Sequence, residues 1–239
     1  MNRQVRAELP HDQTLDPTRT TAIVAGVLFI VATVAAVVAA ALVPDLTASD
    51  YLTRISAHTN QVATGAFFYL IAALGSAAIA VSLYGVLKET GAALAVGSIV
   101  FRALEAAMYM VAVVSLLSLM TLGGRFTEAG AAGDRASLQT LGDALVSARD
   151  HASLLGVFAF CLGAFIYYYL FYRSRLIPRW LSGWGIVAIL LMLIACMLAL
   201  FSDSPITGYI VLVLPIAVQE MVLAVWLIVR GFSPSSAIR

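Results

Sequence analysis

Six stretches of the chain each hold about twenty consecutive, almost wholly apolar residues, and this limits the fold more than any other feature. They run approximately Ile23–Val43, Gly65–Leu87, Leu94–Leu122, Ala152–Tyr172, Leu181–Phe201 and Tyr209–Val229. A helix needs about 20 apolar residues to cross a hydrocarbon core of ~30 Å. Only 11% of the 239 residues are charged, against about 25% in soluble domains, too few to coat a water-facing surface. The runs are continuous rather than alternating, which excludes a transmembrane β-barrel. The expected fold is an all-α, polytopic integral membrane helix bundle of about six transmembrane helices. It divides into a polar cytoplasmic tail (1–20), a single transmembrane helical domain (21–231) and a short cytoplasmic tail (232–239). The first apolar run exceeds the ~7–15 residues of a signal-peptide core, so it reads as a retained span.

Orientation follows from where the cations fall. One side would carry Arg3, Arg6, Arg19, Lys88, Arg173, Arg175, Arg179, Arg230 and Arg239, and the other only Arg54, Arg125, Arg135 and Arg149. The richer side is the cytoplasmic one, which places both termini there. A reporter that works only outside the cytoplasm, fused after Arg239, is expected to be silent; activity would reverse the orientation. Lys88 is the only lysine against thirteen arginines, a bias typical of GC-rich bacterial genomes, so the expected location is a bacterial cytoplasmic membrane, crossed several times.

Three ionisable residues break the apolar rule. At about 1.5 Å per residue from the ends of their runs, Arg102 lies ~12 Å deep, Glu105 ~16 Å and Glu220 ~15 Å, one common level near the midplane. Each costs about 2.5–3.5 kcal/mol on insertion scales, so a shared depth is best explained if they meet. Arg102 and Glu105 are i,i+3 neighbours on a helix face that continues through Ser98 and Tyr109. The expected cluster places Arg102 between Glu105 and Glu220, with Gln219 and Tyr109 as further hydrogen-bonding groups. Two carboxylates then face one cation, so either one is protonated or a further cation joins. Pro215, five residues before Glu220, would free the carbonyl of Val211 and bend its helix at this level. The plainer reading of the cluster is an ion network that holds helices together.

Two outer loops are long enough for structure of their own. Thr47 and Asp50 have capping-box spacing ahead of Tyr51, Leu52 and Ile55, which predicts a short interfacial helix. Leu138, Leu141, Leu145 and Ala148 recur at helical spacing, as a surface helix or an outward extension of the fourth span. Tyr167, Tyr168, Tyr169 and Tyr172 read as an aromatic belt, and Trp180 and Trp184 as headgroup-level anchors beside three arginines among lipid phosphates. Gly156, Gly163, Gly65 and Gly75 read as points of close helix contact. Cys161 and Cys196 sit in apolar runs as small core or lipid-facing residues.

His58 and His151 lack HxxxH or HExxH spacing, so no metal site is expected, and no cofactor or catalytic motif stands out. A formal net charge of +1 gives no footprint for nucleic acid. An enzyme is therefore the less favoured class; a lipid-modifying one would have to use Asp150 and His151.

Arg102-Ala-Leu-Glu105, the run Ser174-Arg-Leu-Ile-Pro-Arg-Trp-Leu-Ser-Gly183, Pro215 through Glu220 to Trp226-Leu227, and Gly231-Phe232 together resemble the bacterial membrane family described as domain of unknown function 4386. The resemblance covers nearly the whole chain after residue 20. It implies a multi-spanning membrane fold and brings no activity with it. Two functions compete on the residues. In one, the cluster binds or transports a small ion or lipophilic molecule from within the lipid bilayer; in the other, the protein is a non-catalytic structural or partner-binding component.

Overall fold

The computed structural model describes residues 17–202 and 206–233. Most of the first tail, the end of the second, and with them Arg3, Arg6 and Arg239, lie outside the described residues, as does Asp203. Among the described residues all regular structure is helical: α1 (Pro17–Leu42), α2 (Tyr51–Ala57), α3 (Thr59–Glu128), α4 (Ala132–Ser174), α5 (Arg179–Ser202), a 3₁₀ turn (Ile206–Tyr209) and α6 (Ile210–Val229). Five of these, α1 and α3 to α6, are long and apolar enough to cross a membrane.

They carry all six expected runs because α3 holds two. A straight helix of 70 residues would reach ~105 Å, more than three times the hydrocarbon core. Gly91 breaks it, with φ −177° and ψ 90° outside the helical region, and the chain reverses there. The arms 59–90 and 92–128 then lie side by side: Val62 and Ala66 of the first share a cluster with Leu116, Leu119 and Leu122 of the second. The first arm meets α1, where Gly65 and Gly75 lie against Ala39 and Ala32; the second meets α4, where Gly163 lies against Arg102; and α1 closes the bundle against α6.

The packing has the sense expected in lipid. Along α1 the small residues Ala22, Ala25, Ala35 and Ala39 are buried with Phe29, while Val24, Val27, Val31, Val34 and Val37 face outward at helical spacing. Small residues at helix contacts and large apolar ones outside give close backbone approach at no cost when the surroundings are hydrocarbon; in water the same stripe would be unfavourable. The result is a transmembrane helical bundle.

Its two ends separate the charges. Arg19 lies against the end of α6, donating to the carbonyls of Leu227 (3.2 Å) and Ile228 (2.6 Å), and the Ser233 N–H reaches the Leu176 carbonyl at 2.8 Å. Lys88 near the reversal joins this end, with Arg173, Arg175, Arg179 and Arg230. Arg54, Arg125, Arg135 and Arg149 belong to the other.

That other end carries α2, whose Tyr51, Leu52 and Ile55 are buried against the two arms of α3. The helix forms where the spacing predicts it, but no capping box holds it. The Thr47 N–H and hydroxyl both donate to Asp45 Oδ1, at 2.9 and 2.7 Å, which holds that carboxyl below its usual range. Asp50 instead pairs with Arg54 at 2.8 Å. An apolar face, not a cap, fixes α2. The Tyr51 hydroxyl donates to Asp143 Oδ1 of α4 at 2.9 Å, and burial, reinforced by that carboxylate, pushes the phenol well above its ordinary range.

The run around Leu138 proves to be an outward extension of α4. Its inward face is Leu138, Gly142, Leu145 and Val146, whereas Leu141 and Ala148 are exposed. A period of 3.6 drifts off a strict 138–141–145–148 series, and Tyr51 lying over Gly142 decides which side turns in.

Candidate functional site

Arg102 is held in the second arm of α3 by three partners, from both arms of α3 and from α4. Its Nη1 lies 3.0 Å from Glu105 Oε2, its Nε donates to the Ser76 carbonyl of the first arm at 3.3 Å, and its guanidinium stands 4.8 Å from the Phe160 ring centre of α4. The side chain fits there because α4 presents Gly163, where a Cβ would come within 3.0 Å of Arg102 Cγ. Ser98, one turn earlier, donates to the Gly163 carbonyl at 3.0 Å. Arg102 and Glu105 are 2% and 3% exposed. This is a closed ion pair, and such a pair survives in a low dielectric only when each charge keeps its counter-charge.

Glu220 does not complete the bridge expected of it. Among the described residues it makes no ion pair within 4 Å; Arg102 is close enough only for each to feel the other's charge. Its Oε1 accepts from the Tyr167 hydroxyl of α4 at 3.2 Å. As a residue Glu220 is only partly buried, unlike the pair. Gln219 turns the other way and is fully buried: it accepts from the Tyr168 hydroxyl and donates to the Leu181 carbonyl of α5 at 3.1 Å. Tyr109 is on the expected face but packs against Gly156, with no hydrogen bond to the charges among the described residues. The network thus has two halves: Arg102–Glu105–Ser76, and Glu220–Tyr167 beside Gln219–Tyr168.

Tyr167 and Tyr168 are corrections to the aromatic-belt reading. Both are fully buried, and only Tyr169 and Tyr172 face outward. The sequence did carry a sign of this. Three consecutive helical tyrosines span about 200° of the helix surface, so they cannot all face lipid, and a buried tyrosine hydroxyl needs a partner. Cys161 and Cys196 are likewise core residues, both free and buried.

The outer histidines do not converge. His58 Nδ1 meets the Arg54 carbonyl at 3.0 Å, His151 Nδ1 meets Ser147 at 3.2 Å, and Asp150 pairs with its neighbour Arg149 at 2.8 Å. All are local contacts within one helical turn. Among the described residues no three His, Cys, Asp or Glu side chains gather as metal ligands.

With this geometry in place, the sequence comparisons supply one result. The chain belongs to the family described as Domain of unknown function (DUF4386), which matches residues 24–231. No curated protein and no solved structure matches it.

Proposed function

We propose that this member of the DUF4386 family resides in a bacterial cytoplasmic membrane with both termini inside, and binds a small cation or a lipophilic amine at Glu220. One observation carries the reading: Arg102 is already occupied by Glu105, so Glu220 is a carboxyl at membrane depth with a hydroxyl for a partner and no cation. A carboxylate there is costly unless neutralised, and either a proton or a bound cation neutralises it. Tyr167 orients the group, and Glu220 as a whole residue is less buried than Glu105, which supports this carboxyl rather than Glu105 as the one a ligand reaches.

The Arg102–Glu105 half supports the second reading, a network that only packs helices, and the two readings divide at Glu220. A protonated carboxyl that a hydrophobic carbodiimide can reach from lipid adds its O–H across one C=N bond of the reagent, and the O-acylisourea so formed rearranges to a stable N-acylurea. Treating the full chain in its membrane is expected to label Glu220 and spare Glu105, as located by mass spectrometry, with labelling slowed by Na⁺ or by a hydrophobic tertiary amine. An inert Glu220, or labelling that none of these cations slows, would leave the packing role alone standing.

A further inference from the structure

The turn between α4 and α5 carries three arginines within seven residues, Arg173, Arg175 and Arg179, and Arg230 lies at the same end of the bundle. At the opposite end Arg54 and Arg149 are each paired with a carboxylate at 2.8 Å, and Arg125 and Arg135 have none within 4 Å among the described residues. Arg173, Arg175, Arg179 and Arg230 are exposed and, among the described residues, none has a carboxylate within 4 Å. Arg19, at the same end, is taken up by the last carbonyls of α6.

The turn is also fixed in shape. Leu176 and Ile177 are buried beneath it. Arg175 is the one non-glycine residue with positive φ among those described, at φ 57°, a conformation that a glycine would adopt at lower cost. An arginine is thus kept where helix termination alone would favour glycine. The Arg179 guanidinium stands 5.2 Å from the Tyr172 ring centre, which limits its freedom in advance of any ligand. Trp180 is 57% exposed, its ring set edge-on to Trp226 at 6.4 Å. Guanidiniums and outward aromatic faces therefore meet where the apolar runs end, the level of lipid phosphates and glycerol.

We propose that this turn is a seat for an anionic phospholipid: Arg175 and Arg179 grip the headgroup phosphate, and Tyr172 and Trp180 flank the glycerol and the first acyl carbons. The guanidinium fork matches phosphate oxygens better than a point charge does. These four arginines, none with a carboxylate within 4 Å among the described residues, select a net negative lipid, because a choline group would meet like charge. This seat is remote from Glu220 and does not depend on its role.

Native mass spectrometry of the full chain, released from micelles with equal phosphatidylglycerol and phosphatidylcholine, tests it. The expected result is preferential retention of phosphatidylglycerol, reduced about 30-fold in Arg175→Gln/Arg179→Gln and about fivefold in Arg175→Gln alone. Arg125→Gln, at the opposite end, is expected to bind as the unmodified chain does. The single variant answers the question if the double one does not fold. Equal retention of the two lipids, or an unchanged preference in a folded variant lacking either arginine, would overturn the proposal. So would loss of phosphatidylglycerol to millimolar inorganic phosphate, which would mark a site for soluble anions.

Discussion

Arg102→Met is expected to destabilise the bundle by about 3–5 kcal/mol, the cost of stripping the partner from a buried charge. It should appear as a large fall in the melting temperature of the detergent-solubilised chain. Methionine fills much of the arginine's volume, so the effect is electrical rather than a cavity. Glu105, 3% exposed, is left without the cation that lies 3.0 Å away, and the Ser76 carbonyl loses its side-chain donor. The closed-pair description makes a second demand. Arg102→Met/Glu105→Met removes both charges together and should cost less than Arg102→Met alone, since replacing a whole buried pair by apolar groups is often neutral or stabilising. A single variant as stable as the unmodified chain, or a double variant whose loss equals the sum of two singles, would show that the two groups do not stabilise one another.

The ion pair was legible because it is local. A spacing of i,i+3 puts Arg102 and Glu105 on one helix face whatever surrounds them. The six apolar runs were legible for a similar reason, since hydrocarbon thickness sets their length. Where the prediction fell short, distant elements decide. Which of the two readings of the 138–148 run holds, a separate surface helix or an outward extension of α4, depends on what packs beside it. The position of Glu220 along α6 gives an expected depth, but depth along an axis does not give the direction in which a side chain points. Rotation of α6 turns Gln219 to Tyr168 and Glu220 to Tyr167, and sequence alone sends these tyrosines to the surface because aromatic residues near a span end usually belong there. Of Tyr167, Tyr168, Tyr169 and Tyr172, the first two are buried with hydroxyl partners and the other two face outward.

The same contact surface gives the second large effect. Gly185→Ala is expected to destabilise by about 1–3 kcal/mol, the usual cost of overpacking, whereas Gly183→Ala, two residues earlier on α5, should be neutral or gain up to about 1 kcal/mol of helix propensity. A Cβ on Gly185 would fall 2.5 Å from Tyr168 Cδ1 and 2.6 Å from its Cε1; one on Gly183 would meet nothing within 4 Å. Tyr168 has little room to retreat, being fully buried with the Tyr167 ring 4.5 Å away, centre to centre. Its hydroxyl is also held by Gln219, which is anchored in turn on Leu181, one turn before Gly185. A displaced ring therefore strains packing and loosens the polar half of the site in one movement. The carbodiimide reactivity of Glu220 should rise in Gly185→Ala and stay unchanged in Gly183→Ala, because Tyr167 moves with its neighbour. If the two alanine variants melted at the same temperature, the wedge of Tyr168 against α5 would not be what positions Gln219 and Glu220.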